Sequence, residues 1–281
     1  MATTRFGELW LVFLYVVGTG WAWCKYWWFR FALFYQSVVY PVRARLANAD
    51  HTLLLMGDGL VLGYGDYVTL TGTWGLSARL KAVLSSLPNR RRGWDVITMG
   101  HLYSTTDDWL PNSSRQPHHR PKSIRANLWT DAWQKLEQPR VDIAVLLVGG
   151  WDHKYGKDPS DLEKTLYHWQ QLALHLRKRS EFVVIVPTPI AGLHLGSRRA
   201  NITRNKLLAQ WMNKQPDPNI VMGPSLEQRD YLRWFSSFDP PHMSSKGYKR
   251  LASELGELVH KMIIACEYKH FRRLLAPKKH T

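Results

Sequence analysis

The sequence predicts an α/β domain whose parallel β-sheet is covered by helices on both faces. Three observations support this prediction. From residue 51 onward, short apolar runs alternate with longer amphipathic stretches, as in successive strand–helix–strand units. Most of the apolar runs show no polar–apolar alternation, which is typical of strands buried on both faces. Marked turn sequences follow three of the runs, and the ligand site of such a sheet lies beyond the carboxyl ends of its strands.

Five strands and five helices are predicted in chain order. The strands are 52–56, 95–99, 141–148, 182–186 and 219–222. The helices are 75–87, 124–137, 161–179, 199–213 and 245–267. Ser197 is placed to cap the fourth helix, because a serine hydroxyl accepts hydrogen bonds from the free N–H groups of a first turn. Right-handed crossovers are expected between the parallel strands.

Two stretches fall outside this alternation. Residues 101–123 form a polar insertion, which predicts a long loop acting as a lid or a binding arm. The basic end of the chain, 268–281, predicts a solvated tail that could contact RNA or anionic lipid. The predicted organisation is therefore an anchor and linker at 1–50, a main domain at 51–267 and a basic tail at 268–281.

The first fifty residues predict a single-pass membrane anchor, with lipid contact over 9–40. Residues 9–24 are uncharged, and a helix over them would rise about 24 Å, slightly less than a hydrocarbon core of about 30 Å. Lys25 and Arg30 can extend to the interface, which tryptophan and tyrosine also favour. A cleaved signal peptide and a helix packed into a larger complex are the alternatives.

Charge around the anchor predicts its orientation. Arg5 precedes the apolar segment, and four cations follow it, namely Lys25, Arg30, Arg43 and Arg45. The positive-inside rule then places the main domain on the cytoplasmic or matrix side, and the mitochondrial inner membrane is the expected location. Two glycosylation triplets, at Asn112 and Asn201, favour the secretory pathway instead.

The composition of the chain indicates which kinds of partner and ligand to expect. The chain of 281 residues has a formal net charge of +16, from 38 Lys and Arg against 22 Asp and Glu. This excess predicts RNA, an anionic membrane or an acidic subunit as partner, unless the cations are spread over a solvated surface. Cys24 and Cys266 exclude a disulfide framework. Three histidines, His118, His119 and His153, have no cysteine or carboxylate at a ligand spacing, so no metal and no cofactor is predicted.

The marked turns contain the candidate chemistry. Residues 57–60 read Gly-Asp-Gly-Leu, and residues 149–152 read Gly-Gly-Trp-Asp. Before the last helix, "FDPPHMSSKGYKRLA" places Asp239 and His242 three residues apart. An aspartate at that spacing can orient an imidazole that acts as a general base.

Over residues 51–265 these motifs resemble the SGNH hydrolases, also called GDSL-type esterases and lipases. The resemblance implies a three-layer, flavodoxin-like fold with a five-stranded parallel sheet. It also implies a serine nucleophile and a histidine base, with an oxyanion hole made by the serine N–H, a glycine N–H and an asparagine amide. Asp239 and His242 match the family's base and its orienting aspartate.

The other motifs depart from the family pattern at the reacting positions. Asp58 matches, but Gly59 stands where the family has its serine. Asp152 matches, but Trp151 stands where the family has its asparagine, and Tyr103 aligns with the oxyanion glycine. Loss of a nucleophile costs about 10⁴–10⁶ in rate, and loss of one oxyanion donor costs about 10²–10³.

The sequence therefore predicts a membrane-anchored, catalytically inactive SGNH-like protein that serves as a structural or accessory subunit of a larger membrane complex. In that case Asp239 and His242 are vestigial and cap or bridge the last helix.

Two alternatives stay open. One is an active esterase that uses the Asp239/His242 pair with a displaced nucleophile or an activated water; the displaced hydroxyls would be those of Ser104, Thr105 and Thr106. The other is a binding module. It would hold a ligand in the vacated pocket lined by Asp58, Trp151, Asp152 and His242, or RNA on its basic surface.

Overall fold

The computed structural model describes part of the chain. The described residues are 50–63, 75–88, 93–101, 104–113, 127–136, 138–152, 161–190, 195–226 and 243–275, together with 15–21 and single positions between 10 and 31.

The chain forms two compact units, residues 1–47 and 48–281. In the first unit, each described residue between 10 and 31 is helical. Within the part of the chain that the structure describes, no helix is long and apolar enough to cross a membrane. The remaining positions of the predicted anchor at 9–24 lie outside the described residues.

The second unit contains a parallel five-stranded sheet with the order β2-β1-β3-β4-β5. The strands are β1 His51–Gly57, β2 Trp94–Gly100, β3 Val141–Leu147, β4 Ser180–Ile185 and β5 Ile220–Met222. This is the flavodoxin-like order, in which the direction of winding reverses beside β1. The parallel sheet and all five predicted strands are confirmed, with ends within two residues of those predicted.

Alternate side chains of the central strands enter two separate cores. In β1, Leu53 and Leu55 belong to one core and Leu54 and Met56 to the other, and all four are fully buried. β1 therefore has no solvent-facing side, which is why its sequence is apolar without alternation.

Helices cover both faces of the sheet, so the predicted three layers are confirmed. The helices are α1 Gly75–Ser86, α2 Leu128–Leu136, α3 Asp161–Arg177, α4 Leu195–Met212 and α5 Ser245–Leu275. Leucines of α1 and α5 form one core with the sheet, while α2, α3 and α4 supply the other. Leu76, Leu80 and Leu84 recur every four residues, which gives α1 a single apolar stripe.

Three helix ends differ from the predictions. Asn127 caps α2, because its Oδ1 accepts the N–H of Thr130 at 2.8 Å, so this helix does not begin at residue 124. Ser197 lies inside α4, which begins at Leu195, so the predicted cap is wrong. The last helix continues to Leu275 instead of ending at 267, because no helix breaker occurs before Pro277.

Residues 104–113 of the polar insertion at 101–123 are built into the domain. Residues 104–113 are described, and they include a short 3₁₀ helix, Asp107–Trp109. Trp109 is 2% exposed and belongs to the core on the α2 side. Residues 114–126 lie outside the described residues.

One of the two glycosylation triplets is inaccessible. Asn201 is 4% exposed on α4, its Nδ2 donates to the carbonyl of Pro189 at 2.8 Å, and its Oδ1 accepts from Arg204 at 2.9 Å. A glycan on this amide would break both hydrogen bonds. Asn112 is exposed.

Candidate active site

The turns after β1, β2 and β3 meet at one edge of the sheet. Gly57 at the end of β1 pairs in register with Gly100 of β2 and with Leu147 of β3. The sequence 57–60 therefore lies beside 149–152, as expected for a site beyond the carboxyl ends of parallel strands. Tyr103, Asp239 and His242 lie outside the described residues.

Asp58 organises the turn after β1. Its backbone N–H donates to the carbonyl of Leu147 at 3.0 Å, and its carbonyl accepts the N–H of Val61 at 3.1 Å. Its carboxylate Oδ1 accepts the N–H of Leu60 at 2.9 Å. The aspartate thus closes a turn with its own side chain, as aspartates commonly do.

The carboxyl group of Asp58 is unusually basic. The residue is 2% exposed, and this burial raises the pKa of Asp58 from 3.8 to about 7. The negative charge of Asp152 raises the pKa further, whereas the hydrogen bond from Leu60 lowers it. At neutral pH the group is therefore close to half protonated.

Gly59 follows directly and provides no reactive atom. The described glycines with positive φ are Gly57, Gly63, Gly75 and Gly149, and Gly59 is not among them. Its backbone therefore lies in a region that a residue with a side chain can adopt. The turn conformation itself does not require glycine at this position, in contrast to Gly57.

The recess beside Asp58 is very small. The described residues enclose about 10 Å³, about the space that one water molecule needs. Its lining residues are Asp58, Leu60, Leu147, Val148, Gly150, Val186, Pro187, Thr188 and Pro189. Trp151, which is partly buried in the turn after β3, is not part of this lining. Small-molecule sites have volumes of about 300–1,000 Å³, so these residues by themselves do not form an acyl pocket.

Asp152 is held in a hydrogen-bond network that links three elements. Its Oδ1 accepts the backbone N–H of Thr106 at 3.0 Å. Its Oδ2 accepts the hydroxyls of Thr106 at 2.6 Å and Thr165 at 2.7 Å. The carboxylate thereby joins the turn after β3 to the segment before the 3₁₀ helix and to α3.

A histidine completes this network. His168 Nδ1 lies 2.9 Å from Thr106 Oγ1, and its Nε2 lies 4.0 Å from Asp107 Oδ1. Because the single hydroxyl proton of Thr106 is donated to Asp152, Nδ1 of His168 carries a hydrogen and donates to Thr106. The group resembles a Thr-His-Asp arrangement, but His168 cannot remove a proton from Thr106 through a nitrogen that is itself protonated.

The hydroxyls considered as displaced nucleophiles are all buried. Ser104, Thr105 and Thr106 are 1%, 4% and 1% exposed. Ser104 Oγ donates to the carbonyl of His101 at 2.9 Å and accepts from Trp109 Nε1 at 3.0 Å. Thr105 Oγ1 donates to Asp108 Oδ2 at 2.9 Å. These hydrogen bonds give the three hydroxyls structural roles and no exposure to a substrate.

The partners of Asp152 were not anticipated from the sequence. Thr106, Thr165 and His168 are 46, 13 and 62 residues from the groups they contact, counted along the chain. One signal was present, since the run Ser104 to Asp108 carries the hydroxyl and carboxylate side chains that typically hydrogen-bond to turns.

Removal of the Asp152 carboxylate is expected to destabilise the domain. Asp152→Ala leaves two threonine hydroxyls and one buried N–H without their acceptor, so the free energy of unfolding should fall by about 3 kcal/mol. Urea unfolding of the full chain in detergent measures this change. Asp131→Ala is the control, because Asp131 makes an exposed pair with Lys135 and its loss should cost less than about 1 kcal/mol. Equal losses in the two variants would contradict a structural role for Asp152.

Metal binding is not supported by the described part of the domain. No three histidine, cysteine, aspartate or glutamate side chains among the described residues are placed to hold an ion. His118, His119 and His153 lie outside those residues.

Comparison with solved structures finds the same fold in bacterial esterases. A lipase/acylhydrolase from Enterococcus faecalis has a TM-score of 0.50 at 14% identity, covering 75% of this chain and 96% of its own. A carbohydrate acetylesterase family member from Sinorhizobium meliloti has a TM-score of 0.53 at 17% identity, covering 76% of this chain and 99% of its own. For an acetylxylan esterase from Geobacillus stearothermophilus the TM-score is 0.51 at 13% identity, with 76% and 95% covered.

At these identities the similarity shows the fold alone, and it confirms the predicted SGNH-hydrolase-like α/β fold. No known family model matches the sequence, and no curated protein is significantly similar to it.

Proposed function

We propose that this chain is a membrane-anchored, catalytically inactive member of the SGNH-hydrolase fold, and that it serves as a structural or accessory subunit of a larger membrane complex. One observation carries the proposal. Gly59 occupies the turn after β1, at the position that the motif aligns with the family's serine, and the turn has no side chain with a hydroxyl or thiol group. The proposed mitochondrial location rests on the sequence alone.

The surroundings of Gly59 support inactivity. The nearby hydroxyls of Ser104, Thr105 and Thr106 are buried and hydrogen-bonded. The Asp152 carboxylate accepts three hydrogen bonds from threonine donors. An indole at Trp151 has one donor and a shape unlike that of the amide it replaces. Retained motif residues thus have structural uses that do not depend on catalysis.

Membrane attachment and complex membership are supported by the sequence of the first unit and by charge. The uncharged stretch 9–24 has the composition of a single span. The net charge of +16 suits contact with anionic lipid or an acidic subunit. The proposed partners are therefore lipid along 9–40 and other protein subunits; RNA is the alternative ligand of the basic surface.

An ester hydrolysis assay tests inactivity. We expect the full chain, purified in detergent, to release p-nitrophenol from p-nitrophenyl acetate no faster than its His242→Ala variant. An active bacterial acetylesterase of the same fold, assayed in the same detergent, is the positive control, because its turnover shows that the assay detects hydrolysis. A rate that falls at least about tenfold in His242→Ala would instead favour a histidine-activated water, since general bases contribute about 10²–10⁴.

Extraction of the native membrane under mild conditions tests complex membership separately. The chain is expected to migrate with an assembly several times larger than its own mass of 32.7 kDa, and deletion of its gene should lower the abundance of that assembly. Migration as a free monomer, with no change in other subunits on deletion, counts against the subunit proposal whatever the hydrolysis assay gives.

A further inference from the structure

The solvent-facing side of α5 changes character along its length. In the first half this side is polar, with exposed Lys246, Lys249, Ser253 and Glu257. In the last three turns it is apolar, with Ile264, Tyr268, Phe271 and Leu275 exposed by 44%, 61%, 50% and 66%. We call these four residues the α5 stripe. Their spacing of four, three and four residues places them on one face of the helix.

The α5 stripe is not an extension of the core. On the opposite face of α5, Val259, Ile263 and Cys266 are 0%, 0% and 4% exposed and belong to the core. These core contacts end at the first turn of the stripe, and every residue from Phe271 to Leu275 is exposed. Burial of a large apolar side chain contributes about 1.5–3 kcal/mol. Four such side chains aligned in water, next to a helix face that is polar elsewhere, therefore mark a surface with a partner.

Cations flank the α5 stripe. Lys261, one turn before Ile264, and Arg272 are exposed beside the stripe, whereas the exposed Arg273 lies on the opposite side of the helix. Between residues 260 and 281 the sequence has six Lys or Arg and one acid, Glu267. The carboxylate of Glu267 is directed inward, where it accepts from Trp94 Nε1 at 3.1 Å. Lys269 is paired with Glu181 at 2.6 Å, so the positive charge beside the stripe comes from Lys261 and Arg272.

These features together favour an anionic lipid surface over a protein groove. An amphipathic helix with aromatic and aliphatic side chains on one face and Lys and Arg beside them binds in the plane of a bilayer interface. Tyr268 suits that interface, because its ring is apolar and its hydroxyl is polar. Positive charge complements the negative surface potential of anionic lipids.

We propose that α5, from Lys261 to Leu275, lies on an anionic bilayer surface, with the α5 stripe at the boundary of headgroups and acyl chains and the flanking cations at lipid phosphates. This contact is separate from residues 9–24 and goes beyond the proposed function.

A fluorescent label on the stripe tests the contact. In a full chain with Cys24→Ser and Cys266→Ala, bimane is attached at Phe271→Cys, and in a matched control at Ser253→Cys on the polar half of the same face. Both proteins are reconstituted into vesicles of phosphatidylcholine with about one third phosphatidylserine, and into phosphatidylcholine alone. We expect a blue shift, and quenching by nitroxide-labelled lipid, at position 271 in the anionic vesicles only.

Neutralisation of two flanking cations should remove the effect. Each Lys or Arg near an anionic surface raises the ratio of bilayer-bound to unbound α5 about fivefold. The double substitution Lys261→Gln with Arg272→Gln should therefore lower this ratio about 25-fold. Equal quenching at positions 253 and 271, or no quenching at 271 in anionic vesicles, overturns the proposal. A blue shift in detergent that grows with protein concentration also overturns it, because the occupant is then a second copy.

Insertion of residues 9–24 is measured independently, as the fraction of the vesicle-bound chain that alkaline carbonate does not extract. A failed anchor and a failed α5 contact are therefore different results, and neither depends on ester hydrolysis.

Discussion

Gly57→Ala is expected to destabilise the domain severely. Gly57 has a φ of +155°, in a region that residues with a side chain rarely adopt. A Cβ at this position would overlap the carbonyl oxygen of Leu147, which is part of the neighbouring strand β3. Because β1 lies between β2 and β3, neither strand can withdraw without breaking the centre of the sheet.

The loss should exceed about 4 kcal/mol, since alanine at positive φ and overpacking against backbone are both present. Urea unfolding of the full chain in detergent, followed by tryptophan fluorescence, measures it. Gly150→Ala is the matched control at the same edge of the sheet. A Cβ there meets no atom closer than Asp58 Oδ2 at 3.6 Å, an ordinary contact. A Gly57→Ala protein within about 1 kcal/mol of the unsubstituted chain would show that β1 and β3 do not approach as described.

The close approach of β1 and β3 at Gly57 affects how the sequence motifs are interpreted. Gly57 is needed for the approach of two strands, Asp58 closes the turn, and Asp152 holds three elements together. None of these roles involves a substrate. The two described aspartates of the motifs, Asp58 and Asp152, thus have structural roles, whereas Gly59 and Trp151 occupy positions at which the sequence departs from the motifs that it resembles.

The strands could be predicted because their environment is simple. In β1 and β3, residues such as Leu54 and Val145 are fully buried, and burial on both faces leaves an apolar run that a single sequence displays directly. The ends of α2 and α4 were harder to predict, since capping depends on which side chain reaches a free N–H group. Asn127 does so, and Ser197 lies inside its helix.

The chemistry of the site could be predicted only in part. The absence of a hydroxyl at Gly59 is visible in the sequence, and so is the spacing of Asp239 and His242. The contact between Asp152 and Thr106 spans 46 residues, and no local pattern specifies it. The raised pKa of Asp58 arises from burial by surrounding elements, and no sequence motif reports burial.

Asp58→Asn is expected to stabilise the domain at alkaline pH. The folded protein raises the pKa of Asp58 from 3.8 to about 7, chiefly through burial, so the folded state binds a proton that the unfolded state has lost. Stability from this group is complete below pH 3.8, declines as pH rises, and levels off above about pH 7. Asparagine carries no charge at any of these pH values, and its Oδ1 can still accept the N–H of Leu60.

The gain in the free energy of unfolding should be about 4 kcal/mol at about pH 8 and about 2 kcal/mol at about pH 5. Denaturant unfolding of both proteins at the two pH values gives this difference, and comparison of the two gains cancels the other titrating groups. Asp95→Asn is a suitable control, because Asp95 is also buried but lies 3.4 Å from Lys81, so the substitution removes a paired charge and should give no gain at alkaline pH. An Asp58→Asn gain that is the same at both pH values would mean that Asp58 is ionised in the folded protein. The turn after β1 would then hold a charge close to that of Asp152, and the recess beside it would have to contain solvent or a cation that screens the pair.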